Sequence, residues 1–209
     1  CRIFEIPKEV EYITALPRMN LYMDYSARIY EIYLRYVSKK DIHVYSIDEC
    51  FIDVTPYLRL YNKKPKEFAQ MLMDAVMEET NITATAGIGT NLYLAKIALD
   101  IISKHVPDNI GMLTEKTYQK YLWHHQPLTD FWHVGTGTAN RLAKLGIQDM
   151  YGITMCPEET LYKIFGINAE YIIDHAWGRE PTTITQIKAY TPSTNSISNS
   201  QVLFEDYSY

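Results

Sequence analysis

The stretch VYSIDECFIDV, residues 44–54, places two neighbouring acids, Asp48 and Glu49, inside an apolar segment. The apolar residues of the segment, which favour a buried sheet, are Val44, Ile47, Phe51, Ile52 and Val54. Residues 43–47 and 50–55 are therefore predicted as two β segments on either side of the acid pair. The pair would lie at the tip between these segments, where a rigid turn holds both side chains close together.

Turn chemistry does not explain the acid pair, because tight hairpins turn most readily on Asn-Gly or Asp-Gly. Two adjacent carboxylates repel each other unless something positive lies between them. A Mg²⁺ ion would meet that need, since it binds one or two carboxylates together with waters and substrate phosphates. The alternative is a loop in which both acids point into solvent, and the spacing alone leaves the two interpretations open.

Helix and strand patterns alternate around this segment as far as residue 114. Apolar residues three and four apart predict a helix over 20–38 with Asn20 as its N-cap. The later predicted elements are a helix over 65–80, a strand over 82–88, a helix over 91–103 capped by Asn91, and a strand over 110–113. With one further strand in front, this order predicts an α+β domain, a split βαβ antiparallel sheet with helices on one face.

After residue 114 the pattern predicts only helices, with glycines at the turns. The short helices are predicted at 115–122, 138–144, 157–164 and 168–177. Residues 180–200 are rich in Thr, Ser, Asn and Pro, which predicts a linker. The alternating run at 201–209 is typical of a strand that opens another module, and the chain starts at Cys1 without a cap or turn signal. We therefore expect this chain to be an internal fragment of a longer protein.

The amino-acid composition excludes several classes of protein. The 209 residues carry a net charge of −5, which weighs against a protein whose whole surface grips nucleic acid, although a local basic patch stays compatible with it. No run approaches the roughly 20 apolar residues of a membrane span. The cysteines Cys1, Cys50 and Cys156 are far apart and form no C-x-x-C pair, which argues against a disulfide framework or a cysteine-ligated zinc site. A reducing, cytoplasmic setting is predicted.

Several motifs occur together in one order along the chain. They are SIDECFID at 46–53, GIGTNLYLAKIA at 87–98, FWHVGTGTANRLAKLGI at 131–147 and SNSQVLFEDY at 198–207. In this order they resemble the active-site strand, the palm helix, the helix-hairpin-helix thumb and the first little-finger strand of Y-family, or translesion, DNA polymerases. The opening CRIFEIPK is similar to the way the bacterial polymerase V-type branch, a relative of polymerase IV, leaves its fingers domain.

The resemblance implies a division of the chain into four parts. Residues 1–19 would end the fingers, and residues 20–114 would form the catalytic palm. Residues 115–187 would form a small all-α thumb with a helix-hairpin-helix, and residues 188–209 would form the linker and the start of the little finger domain. The first palm strand and most of the little finger would lie outside this chain.

The resemblance also implies a function and a site. Asp48 and Glu49 would be catalytic and would hold two Mg²⁺ ions for nucleotidyl transfer, together with a third aspartate upstream of Cys1. Lys96, predicted to lie off the apolar face of its helix, would grip the incoming triphosphate. Gly135, Gly137 and Thr138 would contact the DNA backbone, although VGTG departs from the usual Pro-Gly-(Ile/Val)-Gly form. The fragment alone is predicted not to polymerise, since one metal ligand is missing.

The implied partners are primer-template DNA, a dNTP and, through a C-terminal segment beyond this chain, a sliding clamp; no membrane is implied. Two other functions stay open. One is a catalytically retired, polymerase-like scaffold that binds DNA, which the retained acid pair and Lys96 disfavour. The other is a different palm-like nucleotidyl-transfer enzyme, such as a cyclase, which the helix-hairpin-helix disfavours. His124, His125 and His133 are predicted to be surface or packing residues, and Cys50 a packed strand residue.

Overall fold

The computed structural model describes residues 6–13, 15–194 and 196–198. The predicted little-finger strand at 198–207 therefore lies outside the described residues except for Ser198, as does most of the CRIFEIPK motif. No helix in the part of the chain that the structure describes is long and apolar enough to cross a bilayer.

Helices dominate the fold. They are α1 (Met19–Leu34), α2 (Thr55–Leu60), α3 (Pro65–Thr80), α4 (Leu92–Ile97), α5 (Glu115–Leu122), α6 (Thr136–Ala143), α7 (Met150–Met155), α8 (Glu158–Phe165), α9 (Ala169–Trp177) and α10 (Ile184–Ala189). The strands are β1 (Ile42–Val44), β2 (Cys50–Ile52), β3 (Ala86–Gly89) and β4 (Ile110–Leu113). The mixed α and β content agrees with the sequence prediction.

The strands form two separate pairs within the described residues, where the sequence predicted one antiparallel sheet. Strands β1 and β2 are antiparallel, with Val44 opposite Cys50. Strands β3 and β4 are parallel, with Ala86 opposite Ile110. The parallel pair follows from its connection, because the chain between β3 and β4 crosses over through α4, and such a crossover brings the second strand back in the same direction.

Strand β4 has its predicted bounds, whereas β1, β2 and β3 are shorter than predicted. The backbone N–H groups of Tyr45 and Ser46 both donate to the carbonyl of Glu49, at 3.0 and 3.1 Å, so the hairpin already turns there. In the predicted strand 82–88, residues 82–85 lie outside the ladder, and pairing starts at Ala86. A period-two pattern shows which residues favour a sheet, but a strand also needs a hydrogen-bonding neighbour.

Helix α1 begins one residue before its predicted cap. Arg18 takes the N-cap position without a side-chain hydrogen bond, and Asn20 lies inside the helix. The helix ends at Leu34, since the next residues close tighter turns, as where the Tyr36 N–H donates to the carbonyl of Tyr33 at 3.0 Å. Helix α3 has the predicted bounds.

Helix α4 begins at the predicted cap, where the Asn91 side chain accepts a hydrogen bond from the Leu94 N–H at 2.8 Å. It does not continue regularly to residue 103 as predicted. Residues Ala98–Ile102 form a π-helical turn, and Ser103–His105 a 3-10 turn. Wide π turns inside helices are uncommon and recur at functional sites. This turn is therefore a candidate part of a functional site.

The helical part contains two helices that the sequence did not predict. Helix α7 begins at a cap in which the Asp149 side chain accepts from the Gly152 N–H at 2.7 Å. Helix α10 lies within the predicted linker 180–200 and packs against Lys39–Asp41 and β1. Its Lys188 ammonium donates to the carbonyl of Lys39. The segment that contains α10 therefore runs from the helices that follow residue 114 back to the β1–β2 hairpin.

The hydrophobic core of the described residues consists of a larger part, a smaller part and a third, still smaller cluster. The larger core extends from α4 and β4 through α5 to α9. A smaller core lies beside the β1–β2 hairpin, and its buried residues are Val37, Ile42, Phe68 and Leu72. Next to it, Ile32 of α1 packs against Ala75 and Val76 of α3. The hairpin with the acid pair thus belongs to the smaller core and α4 to the larger one.

Candidate active site

The acid pair lies at the tip of the β1–β2 hairpin, as the sequence predicted. The Ser46 hydroxyl donates to the Asp48 carboxylate at 2.7 Å, and this carboxylate is exposed. The Glu49 side chain is 30% exposed. Two backbone hydrogen bonds to the Glu49 carbonyl fix the turn. The short strands and the closed turn therefore hold the two acids next to each other.

Lys96 of α4 binds Glu49 of the acid pair. Its ammonium donates to both carboxylate oxygens of Glu49, each at 2.8 Å, and to Asp100 at 3.0 Å. Lys96 is not a solvated surface lysine, since only 8% of the residue is exposed. Its aliphatic stem is covered while its charged end reaches the carboxylates, which is common for long cationic side chains.

The charge state of Lys96 follows from this environment. Desolvation lowers the pKa of its ammonium, but the hydrogen bonds to Glu49 and Asp100 outweigh that effect, and the net pKa is raised. Lys96 therefore stays cationic at neutral pH. The cluster brings one positive charge between carboxylates that would otherwise repel one another.

Aromatic rings form one wall of the site. The Trp132 indole N–H donates to the Tyr45 hydroxyl at 3.0 Å, and the two rings meet edge to face with centroids 5.6 Å apart. Phe51 lies 5.9 Å from the Trp132 ring. The Lys96 ammonium lies 5.9 Å from the centre of the Tyr45 ring, within the range of a cation–π contact.

Three residues of this site were missed by sequence reasoning. Tyr45 and Trp132 meet across 87 positions of the chain, so no local pattern could have paired them. Asp100 had a usable signal, because it stands four residues after Lys96 on a predicted helix, where opposite charges are neighbours. Lys96 and Glu49 lie 47 positions apart and required the fold.

The acid pair offers the hard oxygen ligands that Mg²⁺ prefers. Asp48 is exposed and free of any cationic partner among the described residues, whereas Glu49 already binds Lys96. Nowhere in the described ranges do three His, Cys, Asp or Glu side chains converge as a metal site. Asp48 and Glu49 therefore fit a cation as two of its ligands, and Glu49 must first give up part of its contact with Lys96.

The predicted DNA-contacting residues lie elsewhere, at the start of α6. Gly135 is the N-cap, Gly137 lies in the first turn and Thr138 follows it. Gly135 and Gly137 are exposed, and a Cβ atom added at either would meet no atom within 4 Å. The backbone is thus open to an approaching group at this end of the helix, where N–H groups point outward.

The histidines pair with acids. The rings of His124 and His125 lie 2.9 Å from Asp149 and 2.8 Å from Asp130. His124 is exposed and His125 is half-buried beside Phe131, which agrees with the predicted surface or packing role. Cys50 is half-buried, and desolvation raises the pKa of its thiol to about 11, which agrees with the predicted packing role.

Residues 1–100 match the impB/mucB/samB family. The UvrX protein of Bacillus subtilis (strain 168), whose name describes UV-damage repair, is 31% identical over 207 residues, which cover 99% of this chain and 48% of UvrX. DNA polymerase IV 2 of the same strain is 33% identical over 162 residues, covering 78% of this chain and 38% of the relative.

A solved structure has the same fold. The insertion ternary complex of Dbh DNA polymerase superposes with a TM-score of 0.66 and 31% identity, covering 78% of this chain and 47% of Dbh. A further similar structure is described as a Y-family DNA polymerase. Residues 1–100 of the chain therefore form a partial match to the impB/mucB/samB family, and the fold is similar to that of Y-family DNA polymerases. The chain spans about half, or less, of the length of these relatives.

Proposed function

We propose that the protein to which this chain belongs is a template-directed DNA polymerase of the translesion type that acts in DNA repair. The observation that carries the proposal is the acid pair at a rigid hairpin tip, met by a lysine from the α4 helix. Relatives named as DNA polymerase IV and as a UV-damage repair protein support it.

The chemistry needs rigid carboxylates. Two Mg²⁺ ions, when bound, would activate the attacking 3′-hydroxyl and stabilise the leaving pyrophosphate. Asp48 and Glu49 would hold these ions, together with a ligand from outside this chain. Lys96 would bind the triphosphate through charge and hydrogen bonds, which requires that it release part of its contact with Glu49. Most of the catalytic effect would come from positioning and charge stabilisation.

Primer-template DNA and a dNTP are the proposed substrates. Gly135, Gly137 and Thr138 would bind the DNA backbone through the outward N–H groups at the start of α6, independently of base sequence. The family division into palm, residues 20–114, and thumb, residues 115–187, is part of this proposal. A sliding clamp as a partner and the inactivity of the 209 residues alone stay predictions.

A retired scaffold that binds DNA is the second candidate. One observation favours it: Glu49 is neutralised by Lys96, and such a pair can serve structure alone. The exposed Asp48 disfavours it, because this acid has no cationic partner in the described part of the chain, where its side chain accepts only from the Ser46 hydroxyl.

The test is primer extension by the intact gene product with Mg²⁺ on undamaged and abasic templates. We expect Asp48→Asn to reduce extension by at least on the order of a hundredfold, because the variant loses a charged ligand at the reacting centre. Asp53→Asn is the matched control. Asp53 lies just beyond the same hairpin, and its side chain only accepts from the Thr55 N–H, which Asn can also do.

The possible results separate the two candidates. Extension that is lost in Asp48→Asn and kept in Asp53→Asn supports the polymerase. A wild type that folds and binds DNA but extends no primer supports the scaffold. Extension that survives Asp48→Asn would contradict the role of the acid pair.

A further inference from the structure

Lys96 uses its full hydrogen-bonding capacity inside the protein. An ammonium group has three N–H donors, and those of Lys96 meet both oxygens of Glu49 and one of Asp100. Asp100 is no part of the proposed metal site. Its side chain is 30% exposed and belongs to the π-helical turn that follows α4.

The helix that carries Lys96 and Asp100 is held very close to the sheet. A Cβ atom at Gly87 would lie 2.1 Å from the Ala95 carbonyl oxygen, and one at Gly111 would lie 2.1 Å from that of Ala98. The glycines therefore let the helix backbone rest directly on β3 and β4. The Ser103 hydroxyl, just after the π turn, also donates to the Leu99 carbonyl in that turn at 2.6 Å. These contacts fix the position from which Asp100 reaches Lys96.

Glu49 cannot serve Lys96 and a cation with the same oxygens. When Glu49 turns to a cation, Lys96 loses up to two of its three acceptors, and its buried stem would then carry a charge with fewer partners. Asp100 lies four residues along the same helix, so its contact with Lys96 does not depend on the hairpin. Asp100 is thus the acceptor that stays.

We propose that Asp100 is a positioning residue, which holds the Lys96 ammonium at the site after Glu49 has turned to a cation. Lys96 then keeps one N–H on Asp100 and has the others free for the phosphate oxygens of a nucleotide. Cation binding at Glu49 and nucleotide binding at Lys96 are thereby coupled through one side chain. The inference rests on the proposed polymerase function.

Two other roles for Asp100 give different results in an experiment. As a mere structural ion pair it would affect stability but not nucleotide affinity. As a cation ligand itself it would affect cation affinity in the absence of nucleotide. A positioning role instead affects the affinity for the nucleotide in the presence of the cation, and restoring the charge should restore that affinity.

The experiment uses the intact gene product with a dideoxy-terminated primer-template, so that a dNTP binds without reacting. Calorimetry gives the Kd of the matching dNTP in Mg²⁺, and the Kd of Mn²⁺ without nucleotide. The variants are Asp100→Asn, Asp100→Glu and, should Asn prevent folding, Asp100→Ala. The control is Asp74→Asn, because Asp74 also accepts from a side chain four residues earlier, Gln70, on an exposed helix face.

We expect Asp100→Asn to weaken dNTP binding on the order of tenfold, the loss typical of one charged hydrogen bond. In steady-state extension KM should rise more than kcat falls. Asp100→Glu should recover most of the affinity, since its carboxylate can still reach Lys96. Asp74→Asn should match the wild type in both Kd values.

The inference alone is overturned if the wild type binds dNTP and extends primers while Asp100→Asn has an unchanged Kd. It is also overturned if Asp100→Asn loses Mn²⁺ affinity without nucleotide, which would make Asp100 a cation ligand. A wild type that neither binds dNTP nor extends a primer would overturn the proposed function as well.

Discussion

His175 is the most enclosed histidine in the part of the chain that the structure describes. It is 4% exposed, its ring stacks on Tyr93 of α4 at 3.9 Å, and its Nε2 lies 3.0 Å from the Glu180 carboxylate. Desolvation lowers the pKa of His175, and the interaction with Glu180 offsets only part of this. His133, whose ring lies 5.9 Å away, has a pKa lowered by desolvation too.

These shifts predict acid sensitivity. Because the pKa of His175 is lower in the folded than in the unfolded state, the unfolded chain binds more protons as the pH falls through the ordinary histidine pKa of about 6.5. The free energy of unfolding should therefore be highest above that pH and decrease below it. Thermal unfolding of the intact protein between pH 8 and pH 5 measures this slope.

The variant His175→Gln removes the titrating group and should flatten the slope, whatever it does to stability at pH 8. The remaining slope would include that of His133. His105→Gln, at an exposed position of the 3-10 turn after α4, serves as the control and should keep the wild-type slope. An unchanged slope in His175→Gln would show that this histidine does not couple to folding.

Single residues of the site were predictable where the signal was local. Asp48 and Glu49 were predicted because two acids break an apolar pattern, and Asn91 because a cap precedes a helical period. The partner of Lys96 was not predictable, since Glu49 approaches it only after the hairpin packs beside α4. The same holds for Trp132, which reaches the hairpin from another part of the chain.

Helix α4 depends on glycines for its position. A Cβ atom at Gly87 would lie 2.1 Å from the Ala95 carbonyl oxygen and 2.4 Å from the Leu99 nitrogen, and backbone atoms cannot rotate away. Gly87→Ala should therefore push the helix outward and reduce the free energy of unfolding by about 1–3 kcal/mol or more. Urea denaturation of the wild type and the variant measures the loss.

Gly137→Ala is the contrasting substitution. It lies in α6, where an added Cβ meets no atom, and Ala favours a helix over Gly by about 0.5–1 kcal/mol. Stability should be kept or raised, while DNA affinity should fall if the backbone there contacts phosphate. Equal losses of stability in Gly87→Ala and Gly137→Ala would refute the close packing of α4 as the cause.

Elements with a strong period and a cap were predicted well. Helices α3 and α5 match their predicted bounds, since each has a clear apolar face and a capped start. Helix α10 was missed because its surroundings are rich in Thr, Ser and Pro. Its local signal was the capping box of Thr183 and Gln186, in which each side chain accepts from the other residue's backbone N–H. The parallel pairing of β3 with β4 depends on distant contacts that no local pattern contains.

At the scale of the whole molecule, the candidate site lies where the two cores meet. Glu49 and Tyr45 come from the hairpin beside the smaller core, and Lys96 and Trp132 come from the side of the larger one. The junction there is polar: the Glu49–Lys96 ion pair and the hydrogen bond from Trp132 to Tyr45. A small shift of one core against the other would thus change the site without disturbing either interior.

Two native cysteines report on the two cores. Cys50 packs against the smaller core and Cys156 against the larger one. The smaller core has far fewer buried residues than the larger one, so opening it should cost less free energy. In a urea series with brief thiol-labelling pulses, followed by mass spectrometry of each cysteine peptide, we expect Cys50 to become reactive at a lower urea concentration than Cys156.

The hydrogen bond from Trp132 to Tyr45 at the junction of the two cores allows a second test. Trp132→Phe keeps an aromatic ring but removes the N–H that Tyr45 accepts, so the urea midpoint of Cys50 should fall while that of Cys156 stays. Trp123→Phe is the matched control, because its N–H donates at 2.8 Å to the Ala176 carbonyl within the larger core. There the midpoint of Cys156 should fall instead. Coincident urea midpoints for both cysteines in every variant would mean that the two cores unfold as one cooperative unit. The site would then not lie between two independently unfolding parts.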